Sequence, residues 1–446
     1  MDRARTSRWT VTAALLASLF AAAVLPVALL AGTGTSEGYD EANYHLPVIR
    51  RFASELPSPD LRDYASATAP GYHLLMSLPA WLGVGIGGLR SIGSLFGLAL
   101  VLLTWRVAAV PSGPRCAMAL ALPLAACSYV LSGSAWLTTD MLSVLLGSAV
   151  IGLVAWSPPT ARTFATAGIL FAAAVCVRQT NVYLAVPILA VGVLGSPMGR
   201  SATAGEQWAP DEPRSWRRPA MAVLALVPAA LALAAFAKLW GGLTPPQFRA
   251  QHGRALSNLT PSYGLALIGA WGSVMLLPLL PEAWTAVRRR RTDLFAIAAF
   301  AGLLASVRAS GWSFEAGRWG GPLWTLVKAV PCIRDRSPVI VLGAACGAAI
   351  LAVLWLMAAE VRRGRQASVV IIALVAGMFA AQSGNSQVWE RYFDPAILVA
   401  LAWLVALAVH PSRPYSAPRA VIGGLALAAV QAAISAVNYL LPAILG

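Results

Sequence analysis

The chain is a succession of apolar runs, each roughly 15 to 25 residues long and separated by short polar breaks, and this pattern leaves few folds open. Coiled into helices, runs of that length match the hydrocarbon core of a bilayer. They fall near residues 10–31, 88–110, 117–135, 141–157, 164–178, 182–197, 219–240, 262–281, 294–308, 337–358, 367–381, 393–409 and 420–444, about thirteen in all. With 58% hydrophobic residues, 11% charged residues and a mean hydropathy of +0.69, the chain carries more apolar surface than a water-soluble fold of 446 residues can bury. The expected fold class is all-α: a polytopic membrane protein forming one transmembrane domain over residues 1–446.

The net charge of +15 does not point to nucleic acid, because the basic residues cluster between apolar runs instead of lining one face. They read as topology signals. If the basic N-terminus (Arg3, Arg5, Arg8) is cytoplasmic, the same side receives Arg106 and Arg115, Arg162, Arg200 with Arg214, Arg217 and Arg218, Arg288 to Arg291, Arg362, Arg363 and Arg365, and Arg413 with Arg419. That agreement requires the apolar stretch 71–87 not to span; it is expected to be an interfacial or re-entrant helix of a first outer loop, residues 32–87. The other extended connections are a cytoplasmic loop at 198–218 and an outer loop at 309–336. The first apolar run, about 22 residues, is longer than a signal-peptide core and is expected to remain as a span. Five scattered cysteines, without CxxC spacing, predict neither a disulfide framework nor a zinc site.

This topology gathers the conspicuous polar side chains on the outer side. Asp40 and Glu41 directly follow the first span, with His45 close behind. If 40–52 is helical, Glu41 and His45 share a face and Asp40 points about 100° away. One carboxylate can then take a proton from a hydroxyl while the other orients it, or Asp40 can simply cap the helix. Asp140 sits between two apolar runs, where an ionisable group is either functional or solvated at the span end. Arg178-Gln179-Thr180-Asn181 sets a guanidinium fork and amides in a very short turn, suited to a phosphate and to sugar hydroxyls, or to a plain polar turn. The 241–261 loop adds Gln247, Arg249, His252 and Arg254, and Trp389-Glu390-Arg391-Tyr392 offers a second phosphate-reading arginine or a helix-capping charge pair. His73, on an apolar stretch, is expected to be a packing residue, and His410 falls on the cytoplasmic side. No phosphate-binding glycine loop opens a helix, which argues against nucleotide-driven chemistry.

The acid pair with His45-Leu46-Pro47, then Asp63 with Thr68 and Pro70-Gly71, Thr139-Asp140 with Ser143, and Arg178-Gln179-Thr180-Asn181, occur in the order found in a known family. Residues 39–182 resemble the dolichyl-phosphate-glucose α-1,2-glucosyltransferases of the GT-C superfamily, and Glu390-Arg391-Tyr392 resembles that family's C-terminal region. The resemblance implies a GT-C-like fold, a polyprenyl-phosphate sugar donor (glucose or another hexose), a glycan or lipid-linked acceptor, and inverting transfer on the non-cytoplasmic face. It implies that Asp40 or Glu41 is the base, that His45 orients it or binds phosphate, that Arg178 and Arg391 bind the donor phosphate, and that Asp63, Asp140, Gln179, Asn181 and Tyr392 contact sugar or acceptor. The family's histidine lies four residues after its aspartate, whereas His45 lies five after Asp40 and four after Glu41, so both carboxylates stay open as the base. No cofactor is required for a monophosphate leaving group, although a divalent cation is compatible with one. Mannosyl-, arabinosyl- and protein O-glycosyltransferases of the same superfamily fit the pattern too. A flippase for lipid-linked sugars fits less well, since it predicts mid-membrane charges and repeated halves. Short loops and an arginine- and alanine-rich composition point to a bacterial plasma membrane.

Overall fold

The computed structural model describes residues 3–32, 34–194, 216–249, 256–360, 364–385, 387–409 and 415–441, with residues 3–8 described as backbone alone. The sequence readings on Arg200, Arg214, His252, Arg254, Arg362, Arg363, His410 and Arg413, and most of the 198–218 loop, lie outside the described residues. Among the described residues the regular structure is helical, with two isolated bridges, Ser313 to Arg318 and Ile333 to Arg336. Helices satisfy their own backbone groups, which is what a bilayer core demands.

Seven described helices are long and apolar enough to cross a membrane: Trp9–Leu30, Ile86–Ser112, Arg217–Trp240, Thr260–Arg289, Pro338–Ala359, Gly364–Gln382 and Ser416–Leu440. Pro114–Ala125 and Ser128–Ala135, bent by 69°, make an eighth if they form one span. The sequence count of about thirteen also includes the shorter apolar helices Asp140–Trp156, Ala161–Val177, Gln179–Leu194 and Asp394–Ala408, together with Arg291–Ser306. Asp394–Ala408 is buried at every residue but Ala396, whereas peripheral helices expose Leu224, Leu231, Phe295 and Leu303 as lipid-facing helices do. Where Thr260–Leu276 crosses Pro338–Ala359, a Cβ on Gly343 would meet Ala266 Cβ at 2.9 Å, and one on Gly347 would strike the Leu265 carbonyl. Glycine at these positions lets the two backbones approach closely.

Contacts along the spans define two ends of the bundle. At one, Trp9 meets Trp105 edge-on at 5.4 Å, Arg106 lies 4.7 Å over Trp9, and Arg419 bonds Glu282 at 2.7 Å. The amphipathic turn of helix Leu280–Arg289, with Arg288 over Trp284, lies at the same end as Glu282. At the other end Arg90 donates to the Ala31 carbonyl at 2.8 Å, and Tyr439 donates to the Ala23 carbonyl at 3.1 Å. This second end carries the helical excursion after the first span: Ser36–Asp40, a π-turn Glu41–His45, Leu46–Glu55 and Gly71–Trp81. The last of these has 11 residues, about 16 Å of helix, roughly half a bilayer core. The 309–336 connection folds over the same end and is fastened there, Val388 N donating to the Gly317 carbonyl (3.1 Å) and Trp324 Nε1 to the Val388 carbonyl (2.7 Å).

Candidate active site

The local fold separates Asp40 from Glu41. Thr35 is the N-cap, its hydroxyl accepting from Gly38 N at 3.0 Å, so capping makes no use of Asp40. The π-turn then carries Glu41 and His45 inward, to 0% and 8% exposure. Asp40 keeps a quarter of its side chain exposed.

Glu41 is saturated. Arg90 Nε reaches both of its oxygens (3.1 and 3.0 Å), Arg90 Nη2 donates to Oε1 at 2.6 Å, and Leu137 N donates to Oε2 at 2.8 Å. This buried pair ties together the end of the first span, the excursion and the entry to helix Asp140–Trp156. Asp40 instead accepts a single bond, from Arg391 Nη1 at 2.9 Å.

Arg391 belongs to a layered array of charge and aromatic rings. Its guanidinium lies 4.6 Å over Trp389 and 5.3 Å from Tyr392, whose other neighbour is the Arg178 guanidinium at 5.1 Å. Trp389 and Tyr392 stack at 5.7 Å, and Arg178 is ion-paired with Asp140. The result is a continuous row, Asp40–Arg391–Tyr392–Arg178–Asp140, drawn from residues up to 351 positions apart. Rings hold the guanidinium planes in place by cation–π contact. Arg391 Nε, in the row, and Trp389 Nε1, beside it, are buried donors without a hydrogen-bond partner among the described residues.

A cavity of about 420 Å³ opens at the Asp40–Arg391 end of this row, lined by Glu37, Tyr39, Asp40, Tyr129, Trp319, Trp389, Arg391 and Asn438 among others, while Tyr392, Arg178 and Asp140 stand outside its lining. Burial pushes the Glu37 carboxyl above its ordinary range, against the pull of Arg391. Gly320 and Gly321, at φ of 79° and 129°, adopt backbone that other residues rarely take. A Cβ on Gly321 would in addition meet Glu390 Oε2 at 2.5 Å. Behind them Glu390 is fully buried, accepting from Tyr263 (2.8 Å) and Leu323 N (2.9 Å). Burial and then the neighbouring Asp394 carboxylate raise its pKa well above the usual carboxylate range.

The remaining residues singled out from the sequence sit around this centre. Asn181 is buried and exchanges hydrogen bonds with Ser143 (2.9 and 3.2 Å) while donating to the Ala174 carbonyl (2.7 Å). Gln179 fastens the turn to the Leu243 carbonyl at 2.7 Å. Asp63 has no contact with the row; it accepts from Arg51 (3.3 Å) and Gln247 (2.8 Å) with 70% of its side chain exposed. His45 Nδ1 lies 2.9 Å from His73 Nε2. Among the described residues no three His, Cys, Asp or Glu side chains converge on a metal-binding point.

Sequence reasoning missed Arg90 and Glu37, and it took His73 for a packing residue. Arg90 had one signal, a lone arginine at the site-facing end of an apolar run. Glu37, inside a Gly/Thr/Ser-rich stretch, had none.

Fold and site together define a polytopic α-helical membrane protein with an arginine- and acid-lined cavity at one end of its bundle. No family model and no curated protein matches the sequence. Solved structures similar to this chain include ArnT from Cupriavidus metallidurans bound to undecaprenyl phosphate, at 18% identity and a TM-score of 0.44, over 96% of this chain and 76% of that one. The same protein in its apo state gives 17% identity and a TM-score of 0.40, over 96% of this chain and 78% of that one. Arabinosyltransferase EmbB from Mycobacterium smegmatis gives 15% identity and a TM-score of 0.40, over 99% of this chain and 42% of that one. Residue roles in this chain rest on its own geometry.

Proposed function

We propose that the protein is an integral-membrane glycosyltransferase that moves a hexose from a polyprenyl-phosphate donor to a glycan or lipid-linked acceptor, with inversion. The observation that carries the reading is the state of Arg391. Its Nη1 holds Asp40, its side chain lines the cavity, and its buried Nε has no hydrogen-bond partner among the described residues. An arginine so arranged can clamp a phosphate on one edge and a general base on the other.

Asp40, exposed to the cavity, is the base; Glu41, saturated by Arg90 and Leu137 N, is structural. The acceptor hydroxyl gives its proton to Asp40 as its oxygen attacks the anomeric carbon. The bond from that carbon to the phosphate oxygen breaks, and the electron pair leaves with the phosphate. Arg391 and Arg178 neutralise the charge that develops there, the interaction that strengthens most in the transition state. Because they supply the counter-charge, the reading calls on no metal ion. Asp140 keeps Arg178 aimed and meets sugar hydroxyls with Gln179, while Trp319 and Trp389 offer flat walls to a sugar ring. The basic end of the bundle, with Arg106, Arg288 and Arg419, is assigned to the cytoplasm, so the cavity opens on the opposite face.

The test is transfer by purified protein offered polyprenyl-phosphate glucose, mannose or arabinose with membrane acceptors. Asp40→Asn is expected to lower turnover of the preferred donor about a hundred- to ten-thousand-fold while donor binding survives. Turnover of no donor, or an Asp40→Asn enzyme as fast as wild type, would overturn the assignment.

A further inference from the structure

His45 is joined to two groups that the row of charges does not include. Its Nδ1 lies 2.9 Å from His73 Nε2, and the two rings are close to coplanar, at 23° with centroids 5.1 Å apart, as an in-plane N–H···N bond requires. His73 Nδ1 lies 2.6 Å from the Tyr64 hydroxyl, which is also 3.2 Å from the Ala69 carbonyl. His73 and Tyr64 are buried, at 0% and 1% exposure, and His45 retains 8%.

The lengths give the chain a direction. Tyr64 has one proton to donate. A separation of 3.2 Å is outside the usual range for O–H···O, about 2.5–3.0 Å, and 2.6 Å is shorter than the usual N–H···O range, about 2.7–3.2 Å. Tyr64 therefore donates to His73 Nδ1. That fixes the His73 proton on Nε2, from which it is donated to His45 Nδ1, and leaves the His45 proton on Nε2. Among the described residues no protein group accepts from His45 Nε2.

We propose that Tyr64 and His73 are positioning residues, a buried relay that locks His45 in the Nε2–H tautomer and presents it to the donor phosphate as an uncharged hydrogen-bond donor. The charged groups that bear on His45 are Asp40 and Asp140, which favour its protonation, and Arg178 and Arg391, which oppose it; burial outweighs them and lowers its pKa to about 4. The imidazole is thus a fixed dipole, not a proton carrier, at neutral pH. The phosphate contact rests on the glycosyltransferase reading, whereas the tautomer does not.

The chain has four histidines, so the full-length protein labelled with 15N-histidine gives a spectrum that can be assigned with His45→Gln and His73→Gln. Wild type is expected to show His45 protonated on Nε2 and bare on Nδ1, unchanged from pH 8 to pH 5. Tyr64→Phe retains the ring that stacks on Phe52 and Trp240, each at 5.8 Å, and so preserves the fold. It is expected to bring in the second tautomer and to raise the donor KM about tenfold with kcat little changed. Polyprenyl monophosphate added in nanodiscs is expected to shift the His45 Nε2 signal. A wild-type His45 carrying its proton on Nδ1, or two protons at pH 7, overturns the relay whatever the substrate. The expected tautomer with no shift on polyprenyl monophosphate overturns the phosphate contact, and an intact relay with shift but no transfer from any donor overturns the glycosyltransferase reading alone.

Discussion

Two adjacent carboxylates meet two arginines in this protein, and the surroundings of each pair differ in every respect that matters for chemistry. Glu41 and Arg90 are sealed, with 0% and 6% of their side chains exposed, and nearly every donor and lone pair is engaged with the partner or with backbone. Asp40 and Arg391 retain 25% and 17%, share a single hydrogen bond and line a cavity, and Arg391 Nε has no hydrogen-bond partner among the described residues. A charge pair with no spare valence holds helices together. One with spare valence can receive a ligand. Net charge is the same in the two pairs and both join a carboxylate to a guanidinium, so burial and the number of open hydrogen-bonding positions divide structure from function.

If that division is right, the two acids should fail in different ways. Asp40→Asn carries the largest expected effect, on turnover, with stability changed by no more than about 1 kcal/mol because the pair is partly solvated. Glu41→Gln should cost about 3–5 kcal/mol of stability, since it leaves the Arg90 charge buried without a counter-ion. Thermal unfolding in detergent measures it. Combining Glu41→Gln with Arg90→Met should recover most of that loss, as the amide still accepts from Leu137 N and no bare charge remains. A Glu41→Gln protein that unfolds like wild type yet has lost transfer would break the comparison and return the base role to Glu41.

The arginines sharpen the contrast through one substitution made at both. Arg391→Lys keeps the charge but loses the fork and the flat contact with Trp389 and Tyr392. It should lower kcat/KM by about ten- to a hundredfold, the worth of one charge-assisted hydrogen bond of roughly 1.5–3 kcal/mol. Arg90→Lys should leave the kinetics of the folded fraction near wild type and lower the melting temperature instead. Equal kinetic losses at both positions would mean that the sealed pair also reports on the ligand.

The sequence made the helices legible because each apolar run has to find lipid or core, and it made Asp40, Arg178 and Arg391 legible because charge beside such runs is costly to keep. It could not rank Asp40 against Glu41. On a regular helix the two differ by about 100°, but which direction is inward depends on Arg90, 49 residues away, and on the cap at Thr35. The partnership of His45 with His73 was hidden for a similar reason. It depends on a π-turn over 41–45, which leaves no periodic trace, and on how the helix Gly71–Trp81, itself expected from its apolar run, packs against that turn. Contacts across long separations, such as Asp40 to Arg391, exist only in the folded chain.

Asp63 provides the smallest effect and a control on the rest. It has the same side chain as Asp40 and also touches an arginine, Arg51 at 3.3 Å, yet 70% of it is in solvent and it is absent from the cavity lining. Its second partner, Gln247, belongs to the connection after helix Arg217–Trp240, so its work is to pin one exposed loop to another. Exposed pairs of this kind are worth about 0–1 kcal/mol, and salt weakens them further. Asp63→Asn should therefore lower stability by less than about 1 kcal/mol and leave transfer within about threefold of wild type. A loss comparable with that of Asp40→Asn would mean that the acceptor extends along the 56–70 segment, and that the site is wider than the row from Asp40 to Asp140.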